Sequence, residues 1–116
     1  DFSMDDRQAW LWTMMMMQPD LVTPEVLSVA YDKASKKLNR STDDVRFESL
    51  KEGRVVQVMH IGPYSDEPPG IAAMHEFVAQ NGLKLRDHHH EIYLGDPRRS
   101  KPEKLKTILR HPVEPA

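Results

Sequence analysis

His89-His90-Glu91-Ile92-Tyr93-Leu94, closed by Gly95-Asp96-Pro97, is the stretch on which the fold turns. A strand's period of two puts His90, Ile92 and Leu94 on one face and His89, Glu91 and Tyr93 on the other. The first set is the more apolar and is expected to meet a helix-covered core. The second is expected on the side that helices leave open, where it sets a carboxylate between two groups able to hydrogen-bond. A mid-strand glutamate has two readings. Its face can simply meet water, as in many antiparallel sheets. Alternatively it forms the floor of an aromatic pocket, where it binds a cation or acts as a general base towards water.

Towards the C-terminus, an exposed charged connector with a helical turn at Pro102 to Leu105 leads into a last strand, Thr107 to Val113. Towards the N-terminus, Asp66 is placed to cap a helix carrying Ile71, Met74, Phe77 and Val78 on one face, and Asn81-Gly82 ends it. Val45 to Leu50 and Arg54 to Ile61 are β-rich runs separated by Lys51-Glu52-Gly53, so a hairpin is expected there, with Gly53 at φ > 0. Thr23-Pro24-Glu25 starts a helix that runs to about Leu38: a hydroxyl cap, a proline whose missing N–H is no loss, and a carboxylate favourable to the dipole. Gln8 to Met17 is uncharged, and its two tryptophans and Thr13 predict a strand. The order is β-α-β-β-α-β-β, an α+β fold with an antiparallel sheet and helices on one face.

Composition narrows the function. The 116 residues suit one domain. With no cysteine there is no disulfide framework, no thiolate nucleophile and no Cys-ligated metal, and a reducing, cytoplasmic location is expected. A net charge of -2 argues against a nucleic-acid coat, and Arg98, Arg99, Lys101, Lys104, Lys106 and Arg110 read as a solvated basic surface. The longest apolar run falls far short of the ~20 residues of a membrane span. His88 and His90 share a strand face but have no third ligand at suitable spacing, so no metal site is expected. No nucleophile elbow or glycine-rich phosphate loop is present, and no cofactor is implied.

What gives Glu91 interest is aromatic company. Trp10 and Trp12, two residues apart in an extended segment, point the same way, as half of a core or as a pocket wall. Tyr93 is two residues from Glu91, and Tyr64 follows the Gly62-Pro63 exit from a strand. Met14 to Met17 read mainly as packing filler, although flexible methionines also suit pockets for varied ligands.

Three strings together resemble the GyrI-like small-molecule-binding family: Trp10-Leu11-Trp12-Thr13-Met14-Met15; His60-Ile61-Gly62-Pro63-Tyr64 with Asp66-Glu67-Pro68; and His89 to Arg99, followed by Pro102 to Arg110. The resemblance covers about Trp10 to Val113. It implies two β-α-β-β units enclosing a ligand pocket. Residues 45–113 resemble the second unit, and residues 8–40 the last strand of the first unit plus the connecting helix. The sequence opens on Asp1, so the expectation is a single domain lacking its N-terminal part, whose pocket is completed by that part or by self-association.

The resemblance also implies function. Members include drug-sensing domains of transcription regulators, in which a buried glutamate among aromatic rings receives cationic drugs. Stand-alone members open the cyclopropane ring of DNA-alkylating natural products by adding water, and the Trp-Leu-Trp and Asp-Pro-Arg-Arg strings resemble these more. Glu91 matches the family's glutamate, as a catalytic base. Trp10, Trp12, Tyr64 and Tyr93 are the expected ring-stacking residues. The implied function is binding of planar or cationic small molecules with hydrolysis of a cyclopropane, a xenobiotic detoxification. The alternative is a non-catalytic sensing or sequestering module, and a gyrase-binding role through the basic stretch stands behind both.

Overall fold

The computed structural model describes residues 10–116. The chain divides into two compact units, one ending at Leu50 and the other spanning Lys51–Ala116.

Within the first unit the regular element is helix α1, Pro24–Leu38. Its ends are those the sequence specifies. Thr23 accepts a hydrogen bond from the Val26 N–H, Pro24 opens the first turn beside Glu25, and Lys36 and Lys37 lie in the last. Asn39 closes it in the left-handed conformation (φ 49°), its N–H returning to the Ser35 carbonyl. None of the helix's residues is buried.

The second unit contains β1 (Val55–Ile61), α2 (Pro68–Gln80), β2 (Leu83–Leu85), β3 (His90–Tyr93) and β4 (Lys106–Pro115). The sheet is built on the long strand β4, which is antiparallel to every other strand. Along one edge β4 pairs with β1, Ile61 opposite Lys106 through Val55 opposite Pro112. Along its other edge the N-terminal half pairs with β3 and the C-terminal end with β2. The β1-α2-β3-β4 succession is one β-α-β-β unit, with β2 a short addition after the helix. The expected class therefore holds: α+β, with an open antiparallel sheet and two α-helices among the described residues.

Helix α2 lies on one face. A Cβ on Gly70, in its first turn, would come within 3.5 Å of Leu109 and 4.0 Å of Val58, so the face beneath is that of Val58 and Leu109. Ile71, Met74 and Val78 of the helix close the core with Leu105, Leu109 and Val113. Leu109 is 0% exposed. Gly82, at φ 62°, turns the chain out of the helix into β2, a conformation costly for any residue with a Cβ.

Several expectations need correction. Residues 10–17 form no strand, and Gln8 and Ala9 lie outside the described residues. A strand exists by its ladder, and no described segment pairs with these residues, however β-prone their side chains. Val45–Leu50 is likewise not a strand, so there is no hairpin at Gly53, although Gly53 does take φ 67°. The partner that β1 finds is β4, about fifty residues further on. The cap of α2 is Glu67, because Tyr64–Asp66 forms a 3-10 turn that shifts the helix start by one residue. Strand β2 has no counterpart in the sequence reading: three residues carry no periodicity.

The faces of β3 are also reversed. Residues opposite one another in an antiparallel ladder share a face. Glu91 is opposite Leu109 and Tyr93 opposite Thr107, so both stand on the helix-bearing face. His90 and Ile92, opposite Arg110 and Ile108, stand on the other.

Candidate functional site

Placing Glu91 and Tyr93 on the α2 face builds a site from three elements. The two side chains are adjacent on β3, and the Tyr93 hydroxyl donates a 2.5 Å hydrogen bond to Glu91 Oε2. Glu91 Oε1 lies 3.7 Å from His89 Nε2. The Glu91 side chain is 11% exposed. Burial, the hydrogen bond to Glu91 and the nearby carboxylates of Glu91 and Glu67 all push the Tyr93 phenol well above its ordinary pKa. The phenol therefore keeps its proton and remains a donor.

The Tyr64 ring meets the Tyr93 ring edge-on, with centroids 5.4 Å apart. Tyr64 is delivered by the Gly62-Pro63 exit from β1, which is fastened where the His60 ring nitrogen Nε2 lies 2.9 Å from the Pro63 carbonyl oxygen. Glu67, at the entry to α2, is 1% exposed. Thr107 stands between Tyr93 on one side and His60 on the other, opposite both in the ladders, and is fully buried.

Further along the same face lies a layer of imidazoles. His111 of β4 is 6.2 Å from His75 of α2 and 5.9 Å from His89, measured between ring centroids. Burial, reinforced by the neighbouring His89, His75 and His90, pushes His111 down to about 4, and burial with His89 lowers His75. Among the described residues no group of three or more histidine or carboxylate side chains is arranged to hold a metal ion. On the opposite face, Glu52 takes His90 Nδ1 and the Arg110 guanidinium, each at 2.9 Å.

Of the expected site residues, the structure brings together Glu91, Tyr93 and Tyr64. Trp10 and Trp12 belong to the first unit and pair with one another, ring centroids 5.0 Å apart. Sequence reasoning gives no role to Glu67 or Thr107. Glu67 sits within one of the strings that carry the family resemblance, directly before Pro68-Pro69, and a carboxylate at a helix entry is its only signal. Thr107 has none, since a threonine in a strand is ordinary.

The fold is thus a small α+β one, an open antiparallel sheet with one covering helix, and its helix-bearing face carries a carboxylate bonded by one of two tyrosines whose rings meet edge-on. The chain belongs to the GyrI-like family: the GyrI-like small molecule binding domain matches residues 17–114. Three solved structures from Listeria innocua are similar to it. An uncharacterized conserved protein is 48% identical, with a TM-score of 0.88 over 97% of this chain and 58% of its own. A protein described as a hydrolase is 47% identical, with a TM-score of 0.84 over the same shares, 97% and 58%. Another described as a hydrolase is 46% identical, with a TM-score of 0.73 over 84% of this chain and 52% of its own. The chain thus spans little more than half the length of these proteins. No curated protein matches it. Among the described residues no helix is long and apolar enough to cross a membrane.

Proposed function

We propose that this GyrI-like domain adds water to a strained, carbonyl-conjugated cyclopropane carried on a planar aromatic frame, with Glu91 as the base. The observation that carries the reading is the 2.5 Å bond from Tyr93 to Glu91 beside the Tyr64 ring, a carboxylate held in fixed orientation at an aromatic surface. The hydrolase description of two similar proteins supports it.

In the proposed step Glu91 takes a proton from water as the water oxygen bonds to a ring carbon. The ring C–C bond breaks, its electron pair passes into the conjugated carbonyl as an enolate oxygen, and the proton returns to that product. A ring so activated needs chiefly positioning and a base. Tyr93 orients the carboxylate, while Tyr64 stacks on the planar ligand. Residues 8–40 are on this reading part of the same binding domain as residues 45–113, and the biological role is detoxification of xenobiotics.

The test is mass spectrometry of a carbonyl-conjugated cyclopropane incubated with the protein and with Glu91→Gln, which keeps size and removes the base. One water should be gained, and the variant should lose about 10²–10⁴-fold in rate. Unchanged turnover in the variant removes Glu91 from the role. One observation favours a second reading. The phenol already occupies one carboxylate oxygen, an arrangement that stabilises the anion and suits reception of a cationic ligand without chemistry. Saturable quenching of Trp10 and Trp12 fluorescence with no change in ligand mass would decide for it.

A further inference from the structure

Strand β1 stands at the edge of the sheet. β4 runs along one side of it, and among the described residues no strand runs along the other. Which backbone groups this leaves over follows from the ladder. At its two ends the Val113 N–H donates to the Arg54 carbonyl and the Gly62 N–H to the Leu105 carbonyl. In an antiparallel pair such bonds recur at every second residue. Val56, Val58 and His60 therefore turn their N–H and C=O groups to β4, while Val55, Gln57, Met59 and Ile61 turn theirs outward.

Folded proteins blunt an open edge with a short strand, a charge, a proline or a bulge. The other side of the sheet follows this rule: β3 has four residues, and β2 has three, with Lys84 paired to Glu114. β1 does not follow it. Its seven residues include no lysine, arginine, carboxylate or proline, and its register with β4 runs without a bulge. Two of its apolar side chains are open to solvent, Met59 at 46% and Ile61 at 61%.

Register singles out a second copy of β1 as the partner. Antiparallel pairing of the strand with itself about a two-fold axis at Val58 sets Val55 opposite Ile61 and Gln57 opposite Met59. All four are outward-turned residues, so each pair exchanges both of its hydrogen bonds and no group on this edge is left over. Sliding the partner by two residues spoils the match. In one direction Val55 falls opposite Pro63, which has no N–H, and in the other Ile61 falls opposite Gly53, which lies outside the strand at φ 67°. In the matched register Arg54 lies opposite Gly62, so self-pairing opposes no like charges. Opposed residues share a face, so Ile61 packs on Val55 and Met59 on Gln57 across the axis.

We infer that β1 is a homodimerisation edge: two copies of the chain join antiparallel along Val55–Ile61, Val58 meeting Val58 at the axis. The interface is isologous and closes at two copies, because each chain offers one β1. It is independent of the chemistry assigned to Glu91.

Sedimentation of the unmodified chain from about 1 μM to about 1 mM should show the mass doubling and rising no further. Over the same range, exchange of the Val55, Gln57, Met59 and Ile61 amides should slow about tenfold or more, while the Val56, Val58 and His60 amides, held by β4, should not change. Met59→Pro removes an outward N–H and no bond to β4, and Met59→Lys puts a charge beside the axis. Both should stay monomeric with an unchanged far-UV circular dichroism spectrum. Leu38→Lys, at an exposed position of α1, should dimerise like the unmodified chain.

A mass constant up to the highest concentration overturns the inference. So does a dimer in which the four outward amides exchange as fast as in the monomer, or one formed equally well by folded Met59→Lys, since the copies would then meet elsewhere. Growth beyond two copies overturns it too, because a closed two-fold pairing leaves no β1 edge to extend. If both Met59 substitutions unfold the chain, the amide comparison decides alone, as it needs no variant.

Discussion

The two units treat the same kind of side chain in opposite ways. Residues 10–17 carry Leu11, Trp12 and four methionines, all exposed, and α1 buries nothing along its length. In the second unit, by contrast, lies every buried hydrophobic side chain among the described residues, gathered between α2 and the face of β4 that carries Leu109 and Val113. The first unit owes its structure to signals within a few residues of each other, a hydroxyl cap at one end of a helix and a left-handed asparagine at the other. The second depends on one strand, β4, pairing with partners fourteen to fifty-seven positions away in sequence by its ladders. Apolar content does not make a core until a long-range ladder gives it an opposite face.

The largest way to break this contrast is Leu109→Ala. Leu109 is fully buried, stands opposite both Val58 and Glu91, and faces Gly70 of the helix. Removing it should cost about 2–5 kcal/mol, much of the stability of a small domain. Urea denaturation should show a large drop in the midpoint. A loss below about 1 kcal/mol would mean that the second unit does not depend on this core.

Acid should act next, and on the second unit. His111 is held at about 4 against an ordinary 6.5, and His75 is lowered too. Between those two values the unfolded chain binds the His111 proton and the folded chain does not. Stability is therefore fully present above about pH 6.5 and falls as the pH drops towards 4. Tm measured across that window should decline, and His111→Asn should decline less steeply. Parallel profiles would remove His111 as the cause.

How far the sequence could be read follows the same division. Helix α1 is legible to the residue because Thr23, Pro24 and the lysines of its last turn each act locally. The adjacency of Glu91 and Tyr93 is legible too, since a period of two is a property of the strand alone. Which way the pair faces is not. That depends on β3 falling opposite Leu109 and Thr107, a register set by residues fourteen to eighteen places further along the chain. Glu67 and Thr107 escape notice for the same reason. Their burial comes from α2 and β4 meeting, and neither residue carries a local mark of it. Residues 10–17 show the reverse error: tryptophan and threonine favour a strand, but propensity supplies no partner.

The smallest expected effect sharpens the contrast most. Leu11 is 101% exposed, so truncation to alanine removes no buried contact and should change stability by no more than about 0.5 kcal/mol. Denaturation of Leu11→Ala beside Leu109→Ala would then set the two units at opposite ends of one scale. A cost above about 1 kcal/mol for Leu11→Ala would mean that something covers this segment in solution. If that cover is a second copy of the chain, the Tm of the unmodified protein must rise with protein concentration, because association stabilises by mass action, and the rise must shrink in the variant. A Tm independent of concentration, with a neutral Leu11→Ala, leaves the segment exposed as the structure has it. In that case the apolar residues before α1 contribute nothing to stability, and only a bound ligand would give Trp10 and Trp12 a measurable role.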